Sequence, residues 1–286
     1  MQKINRVKFD LVFVVTCTND SFINALVKSI IDNRNLRIFI IVILQNNVKL
    51  SISENPCNII KCISISNVIS LSAARNIGLQ YLHSKNIDYK YIMFPDDDSS
   101  FDSSFFLNFK KEVLECCMID VYGTGTKKLY KQQKLKEGQL LTVDNYSSAM
   151  SVNLIINKNI VDKVGMFDEN LGVGNYYGAG EDVDFFLRCI KIGAIFNYTQ
   201  HLWNYHPLNL SKNSKLSLLE LKRRYDSYGR GQIYMLLKHN MRTEALKCTF
   251  NGFLGSIVAF FSGNIKLSLA RMSAFITRLI TLLKNF

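Results

Sequence analysis

What the chain is short of narrows its function first. Its seven cysteines are odd in number and form no Cys-x-x-Cys pair, which argues against a disulfide framework or a thiolate metal site and for a reducing compartment. Cys116 and Cys117 are adjacent, and Cys57, Cys62 and Cys189 lie in apolar surroundings, so all seven read as small core residues. Histidine occurs only four times in 286 residues. Acid is scarce at one end: residues 1–205 hold 22 Lys and Arg against 20 Asp and Glu, whereas 206–286 hold 13 against three, Glu220, Asp226 and Glu244. The basic character, +10 of the net +12, therefore belongs to the tail, and nucleic acid or an anionic membrane leaflet would match it. Long apolar runs are missing too. Phe253 to Phe261 falls short of the ~20 residues that cross a bilayer, and Met1 to Lys8 is polar and basic, so no secretory leader is expected.

What is present alternates. Continuous apolar, β-branched runs at 9–16, 36–44, 59–65 and 91–94 suit buried parallel strands. Between them, 20–33 and 71–85 carry apolar residues at helical spacing. Further helices are expected over 105–114 and 158–164, and strands over 118–123, 152–156 and 194–199. Strand–helix alternation of this kind implies an α/β fold with a mostly parallel sheet covered on both faces. The basic run 127–136 has no apolar face and reads as a solvated loop.

Two stretches carry chemistry. Tyr91 to Phe94 is a short strand stopped by Pro95, and Asp96, Asp97 and Asp98 then project from the carboxyl edge of the sheet, where ligands of open α/β folds bind. Three adjacent carboxylates repel one another unless a cation sits among them, and a divalent ion with oxygen ligands answers that need. In the second stretch, glycines at 172, 174, 178 and 180 form a loop delivering Glu181, Asp182 and Asp184 to the first turn of a helix, where the dipole favours ionised carboxylates. His201 and His206 follow the last strand's end and are the histidines placed to join such a site.

The tail, from about residue 208, begins with a helix over 216–239 in which Gly229 and Gly231 are a weak point. Near the end Leu269, Met272, Ile276, Leu279, Leu283 and Phe286 make an apolar stripe with Arg271 and Arg278 on the reverse side, the pattern of a helix lying in a membrane interface. Aromatic stacking residues are sparse there, so nucleic acid is not the expected partner.

Taken together, Thr18-Asn19 after the first strand, Ala74-Arg75-Asn76-Ile77-Gly78-Leu79, Phe94-Pro95-Asp96-Asp97-Asp98 and Gly178-Ala179-Gly180-Glu181-Asp182-Val183-Asp184-Phe185 resemble the family 2 glycosyltransferases of the GT-A fold over about residues 8–207. Phe-Pro-Asp-Asp-Asp and Tyr228-Gly229-Arg230-Gly231 look like the bacterial members that build surface polysaccharides such as capsule or lipopolysaccharide. The resemblance implies a GT-A domain over 1–207 and a basic helical region over 208–286. It implies that Asp96 and Asp98 hold Mn²⁺ or Mg²⁺ with Asp97 beside them, that His206 (or His201) is a further ligand, and that Asp182 of the Glu181–Asp182 pair is the general base. Thr16, Thr18, Asn19 and Arg75 would lie near the nucleotide-sugar. Where the family has Pro-Thr-Tyr-Asn this chain has Thr16-Cys17-Thr18-Asn19, and where the family's second strand ends in an Asp pair this chain has Leu44-Gln45-Asn46-Asn47, leaving Gln45 or Asn46 to meet a pyrimidine. The implied reaction moves a sugar, with inversion, from a UDP-sugar to a lipid-linked or surface-glycan hydroxyl, at the cytoplasmic face of the inner membrane.

Rival readings fit less of the chain. A haloacid-dehalogenase-type phosphatase also sets Asp-x-Asp after a strand, but that motif normally opens the chain and is not preceded by proline. An inactive membrane-surface adaptor has no reason to keep Asp96, Asp98 and Asp182 together. A nucleotidyltransferase would want a glycine-rich basic loop where Thr18-Asn19-Asp20-Ser21 stands.

Overall fold

The computed structural model describes residues 8–50, 58–126, 128–130, 134–208 and 213–285. Cys57, Lys127, Lys131, Phe286 and most of the polar start of the chain lie outside them. The chain divides into two units: 1–69, 73–166 and 186–208 form the first, and 70–72, 167–185 and 209–286 the second.

The first unit is built on a seven-stranded sheet in the order β3-β2-β1-β4-β6-β5-β7. Its strands are β1 (Phe9–Cys17), β2 (Ile38–Gln45), β3 (Asn58–Ile65), β4 (Tyr89–Met93), β5 (Cys116–Gly123), β6 (Leu154–Asn157) and β7 (Phe196–His206). β1 pairs in parallel with β2 and β4, as do β2 with β3 and β5 with β7, while the short β6 runs antiparallel to both neighbours. The sheet is thus mostly parallel, as the alternation predicts. β1 and β2 are central, and every residue of β2 is buried, which is why both read as unbroken apolar runs rather than alternating ones.

Helices α1 (Ile23–Ile31), α2 (Leu71–Ser84), α3 (Ser103–Glu112), α4 (Lys158–Val164) and α5 (Glu181–Lys191) accompany the strands. α2 lies close on β1 because Gly78 has no side chain: a Cβ there would stand 2.5 Å from a methyl of Val14. α3 contributes Phe105, Phe106 and Phe109 to a core with Phe13, Tyr91 and Phe101. Its start is fixed by Asp102, whose Oδ1 accepts the backbone N–H groups of Ser104 and Phe105 at 3.1 and 3.2 Å.

Two expectations are corrected here. The last strand does not end near Thr199. A register shift lets β5 pair first with 196–199 and then with 203–206, so β7 continues to His206, and both His201 and His206 lie within it. Nor are all cysteines in the core: Cys17, Cys116, Cys117 and Cys189 are buried and Cys248 is half-buried, but Cys62 is exposed, because β3 is an edge strand covered on fewer sides.

The second unit contains the glycine loop, the first turn of α5, and three long helices, α6 (Leu218–Lys238), α7 (Arg242–Phe261) and α8 (Ile265–Asn285). α6 opens with a capping box in which Ser217 and Glu220 bond each other's backbone N–H. Gly229 and Gly231 do not weaken it. The helix runs through both, and each glycine marks a close contact: a Cβ at 229 would meet the Arg278 side chain at 3.1 Å, and one at 231 the Ala179 carbonyl oxygen at 2.3 Å. The arginines of α8 are opposite the apolar stripe as expected, but they face the neighbouring helices α6 and α7 rather than water. Arg271 donates to Gly255 O at 2.7 Å, and Arg278 to Cys248 O at 3.2 Å and Gln232 Oε1 at 3.1 Å. Among the described residues no helix is long and apolar enough to cross a membrane.

Candidate functional site

Proline 95 ends β4 without donating to the ladder, and the chain turns at once, with Ser99 N bonding Asp96 O at 3.0 Å. The next residues dock on the end of β7. Ser100 and Tyr205 exchange both backbone hydrogen bonds at 2.9 Å, and Trp203 Nε1 and the Tyr205 hydroxyl donate to Asp102 Oδ2 at 3.2 and 3.1 Å. Burial works to raise the Asp102 carboxyl, but these donors with Ser104 and Phe105 hold it below the ordinary carboxylate range. Because side chains alternate along a strand, anchoring 203 and 205 on that face sends Asn204 and His206 to the other.

There His206 meets the acids. Its Nε2 lies 3.2 Å from Asp96 Oδ2 and 3.1 Å from Asp98 Oδ1, with the side chains of His206 and Asp98 buried and that of Asp96 40% exposed. Burial acts to lower the imidazole, yet hydrogen bonds and charge from both carboxylates outweigh it and push His206 up to about 9. Asp96 is also held by Arg75, whose Nη2 lies 3.4 Å from its Oδ1 and donates to Ser151 Oγ at 2.8 Å. Arg75 is only 1% exposed. Against the cost of burial, His206 and Arg75 together keep the Asp96 carboxyl below its usual range.

These three residues suit a divalent cation. One ligand atom from each of Asp96, Asp98 and His206 lies within 4.8 Å of the others. Neighbouring ligands on an octahedral ion at ~2.1 Å stand about 3 Å apart, which is the spacing the two carboxylates keep from Nε2. His206 Nδ1 is 3.0 Å from Pro207 O, so with its proton on Nδ1 the ring is oriented by that carbonyl and offers Nε2 to a metal. Glu112, Glu137 and His201 form a second such group, but two of the three are exposed, and the His201–Glu137 pair is 3.9 Å apart. His206 is therefore the histidine that geometry favours.

The remaining residues of the first unit flank this edge. Asp97 is half-buried beside the end of β1: burial first, and the Asp97 charge second, push the Cys17 thiol up to about 12. Thr16 is half-buried, while Thr18 and Asn19 are exposed just past β1. Gln45 is 2% exposed and its Oε1 accepts Ile69 N at 2.9 Å, so its side chain holds the segment after β3. Asn46 and Asn47, both exposed and with positive φ, form the turn beyond it.

Within the second unit, Glu181 and Asp182 stand at the start of α5, Glu181 buried and Asp182 half-buried. Two residues on, Asp184 is fully buried, with Lys238 Nζ at 2.7 Å and His239 Nε2 at 2.9 Å from its Oδ1. Lys238 also pairs with Asp168 at 2.6 Å. Burial opposes both charges, but the hydrogen bonds between them hold Asp168 below and Lys238 above their ordinary values. Sequence reading missed Ser151, Asp168, Lys238 and His239. Their partners are 54 to 76 residues away, and nothing local marks them.

No family model matches the sequence, and no curated protein matches it. Solved structures do. A crystal structure of S. aureus TarS aligns with a TM-score of 0.54 and 11% identity over 80% of this chain, which spans 43% of that one. TarS 1–349 aligns with a TM-score of 0.55 and 11% identity, covering 92% of this chain and 90% of that one. TarS 1–349 in complex with UDP-GlcNAc gives 0.55 and 13%, covering 80% and 66%. At these identities the likeness is one of fold: the chain has a GT-A-like glycosyltransferase fold, with its carboxylate–histidine cluster at the carboxyl edge of β4.

Proposed function

We propose that this protein is a glycosyltransferase of the family 2 type, moving a sugar with inversion from a UDP-linked donor to a hydroxyl of a lipid-linked or surface glycan. The observation that carries the reading is the convergence of Asp96, Asp98 and His206 at the sheet edge of a GT-A-like fold. That a TarS structure of this fold holds UDP-GlcNAc favours the donor class. Mn²⁺ or Mg²⁺ held by these three residues would neutralise charge on the leaving diphosphate. Arg75, fixed by Ser151, keeps Asp96 turned to its place, and Asp97, Thr16, Thr18 and Asn19 offer polar contacts to the nucleotide. Asp182 takes the proton of the acceptor hydroxyl, for which it must come within about 3 Å, directly or through one water. Glu181, being buried, supports it rather than replacing it.

The test is a thermal-shift panel of nucleotide-sugars and nucleoside diphosphates with and without Mn²⁺, on wild type and Asp98→Ala. A ligand at a hundredfold excess over its dissociation constant stabilises the fold by ~2.7 kcal/mol. A shift that needs the metal, selects one base, and vanishes in the variant is the expected result. No shift with any nucleotide, together with release of phosphate from a phosphate ester, would turn the assignment to the phosphatase. Neither response would leave the adaptor.

The domain reading of 1–207 for catalysis and 208–286 for attachment is part of the proposal, with the cytoplasmic membrane leaflet as the surface attached to. Its support is a pair of exposed apolar faces: Phe250, Leu254, Val258 and Phe261 on α7, and Ile265, Leu269, Ile276, Ile280 and Leu283 on α8. No acid follows Glu244, whereas Lys247, Lys266, Arg271, Arg278 and Lys284 do, a charge pattern that fits anionic lipid. Leu254→Glu with Phe261→Glu is expected to abolish co-sedimentation with vesicles containing phosphatidylglycerol. Unchanged sedimentation, or a dimer that the same substitutions dissociate, would overturn it.

A further inference from the structure

Four glycines within nine residues leave the segment 172–180 without a conformation of its own. In the second unit residues 172–175 are held by 70–72, with Leu71 N on Val173 O at 2.9 Å, and the fixed points of 176–180 come mainly from one helix. Gly178 N bonds Ser227 O at 3.1 Å. Arg230 Nε donates to Tyr176 O at 2.9 Å while its guanidinium lies 4.4 Å over the Tyr176 ring. Tyr177 and Tyr234 stack with centroids 4.0 Å apart. Gly180, at φ +94°, sits against Met235 and the Gly231 carbonyl, and Gly231 lets the Ala179 backbone approach closely enough that a Cβ would touch three of its atoms at 3.0 Å or less. At the far end of the same helix, Lys238 and His239 close on Asp184.

We infer that α6 is a positioning element for transfer: Arg230 and Gly231 seat the glycine loop on one side of Asp182, and Lys238 with His239 seat Asp184 on the other. The inference rests on the reading of Asp182 as the base, and none of the α6 residues is assigned contact with substrate. Glycine is among the poorest helix formers, and α6 places one at 231, against the Ala179 backbone. A fully buried carboxylate, Asp184, is likewise costly unless its partners Lys238 and His239 are kept in place. Both features make sense as requirements of the loop rather than of the helix. The Tyr228-Gly229-Arg230-Gly231 segment thereby acquires a role in the transfer half of the reaction, which narrows the attachment proposed for 208–286 to α7 and α8.

The experiment uses the full chain and four variants: Arg230→Ala, Gly231→Ala, Lys238→Met and the conservative Lys238→Arg. Transfer kcat, donor KM, Mn²⁺-dependent UDP binding and amide exchange over 172–184 are measured on each. Because misplacing a catalytic group by about 1 Å can cost ~100-fold, kcat is expected to fall about 10- to 100-fold in Arg230→Ala and Lys238→Met. Donor KM and UDP binding stay near wild type, exchange over 172–184 accelerates, and Lys238→Arg recovers most of kcat. If Gly231→Ala does not fold, the Lys238 pair decides alone. Wild-type kcat in Lys238→Met and Arg230→Ala, or an equal loss of donor binding and kcat, would overturn the inference while leaving the glycosyltransferase reading intact. A wild type that neither binds UDP nor transfers would remove that reading instead. In that case exchange that stays slow in the variants rejects the clamp, and faster exchange keeps it as a structural one.

Discussion

The acidic turn after β4 and the acidic turn at the head of α5 are held in different ways. The first is placed by main chain: a proline stop, a backbone exchange between Ser100 and Tyr205, and strand alternation that carries His206 to the carboxylates. The second is placed by side chains from one helix, through ion pairs at Asp184 and close approaches at glycine. A site framed by a sheet needs only its own ligands to be right. A site on a glycine-rich loop inherits every error in the helix that grips it. Substitutions should therefore separate the two by what they spare.

The largest effect expected is on turnover. Asp182→Asn should lose transfer by about 10²- to 10⁴-fold, the usual weight of general-base catalysis, while Mn²⁺-dependent UDP binding persists. Rate assays beside calorimetry check it, and full turnover would remove Asp182 from the role. Next in size is stability. Asp184→Ala leaves the buried His239 without its carboxylate while the exposed Lys238 keeps Asp168, and an unmet buried polar group costs about 1–3 kcal/mol. Denaturant melts should show it, with Asp98→Ala far less costly because its neighbours lose a repulsive charge as well as a partner.

The smallest effect depends on pH. Asp168 titrates below its ordinary value when folded, so its pairing with Lys238 contributes fully above about pH 4 and is lost as pH falls through the lowered value. Lys238 titrates above its ordinary value, so its share persists until pH rises past about 10. Asp168→Asn should cost ~1 kcal/mol or less at pH 7, and the difference from wild type should shrink as pH falls below about 4. A difference that held constant down to pH 2 would mean that packing, not charge, is what the substitution removes.

Much of the first unit was legible in the residues. Runs such as Ile38 to Leu44 are apolar throughout because the strand is covered on both faces, and Pro95 before three aspartates announces a strand end. The extent of β7 was not legible. The register shift beside Asp120 lets polar Gln200 and His201 sit inside a strand, and no period survives such an irregularity. In α6 the glycines carry a true local signal, low helix propensity, that tertiary contact overrides. In α8 the stripe gives the two faces but not which one packs: small residues, Ser268, Ala270 and Ala274, are buried together with half-buried arginines, and the stripe residues Leu269, Ile276, Leu279 and Leu283 are left outside. Asp184 looked like an ordinary helix-start acid. Its partners, 54 and 55 residues on, are what make it a buried ion-pair centre.

That separation also sets an order of events during synthesis. Every strand of the sheet has been made once His206 has emerged, so the metal ligands can gather early. Lys238 and His239 follow Asp184 by more than fifty residues, and at about 5–20 residues per second they arrive roughly 3–11 s later. Until then the loop before Asp182 lacks its rests on α6. A nascent chain stopped at the end of β7 would carry the proposed cation ligands without the grip on its glycine loop, so under the proposed function donor capture would precede competence to transfer in the life of each molecule.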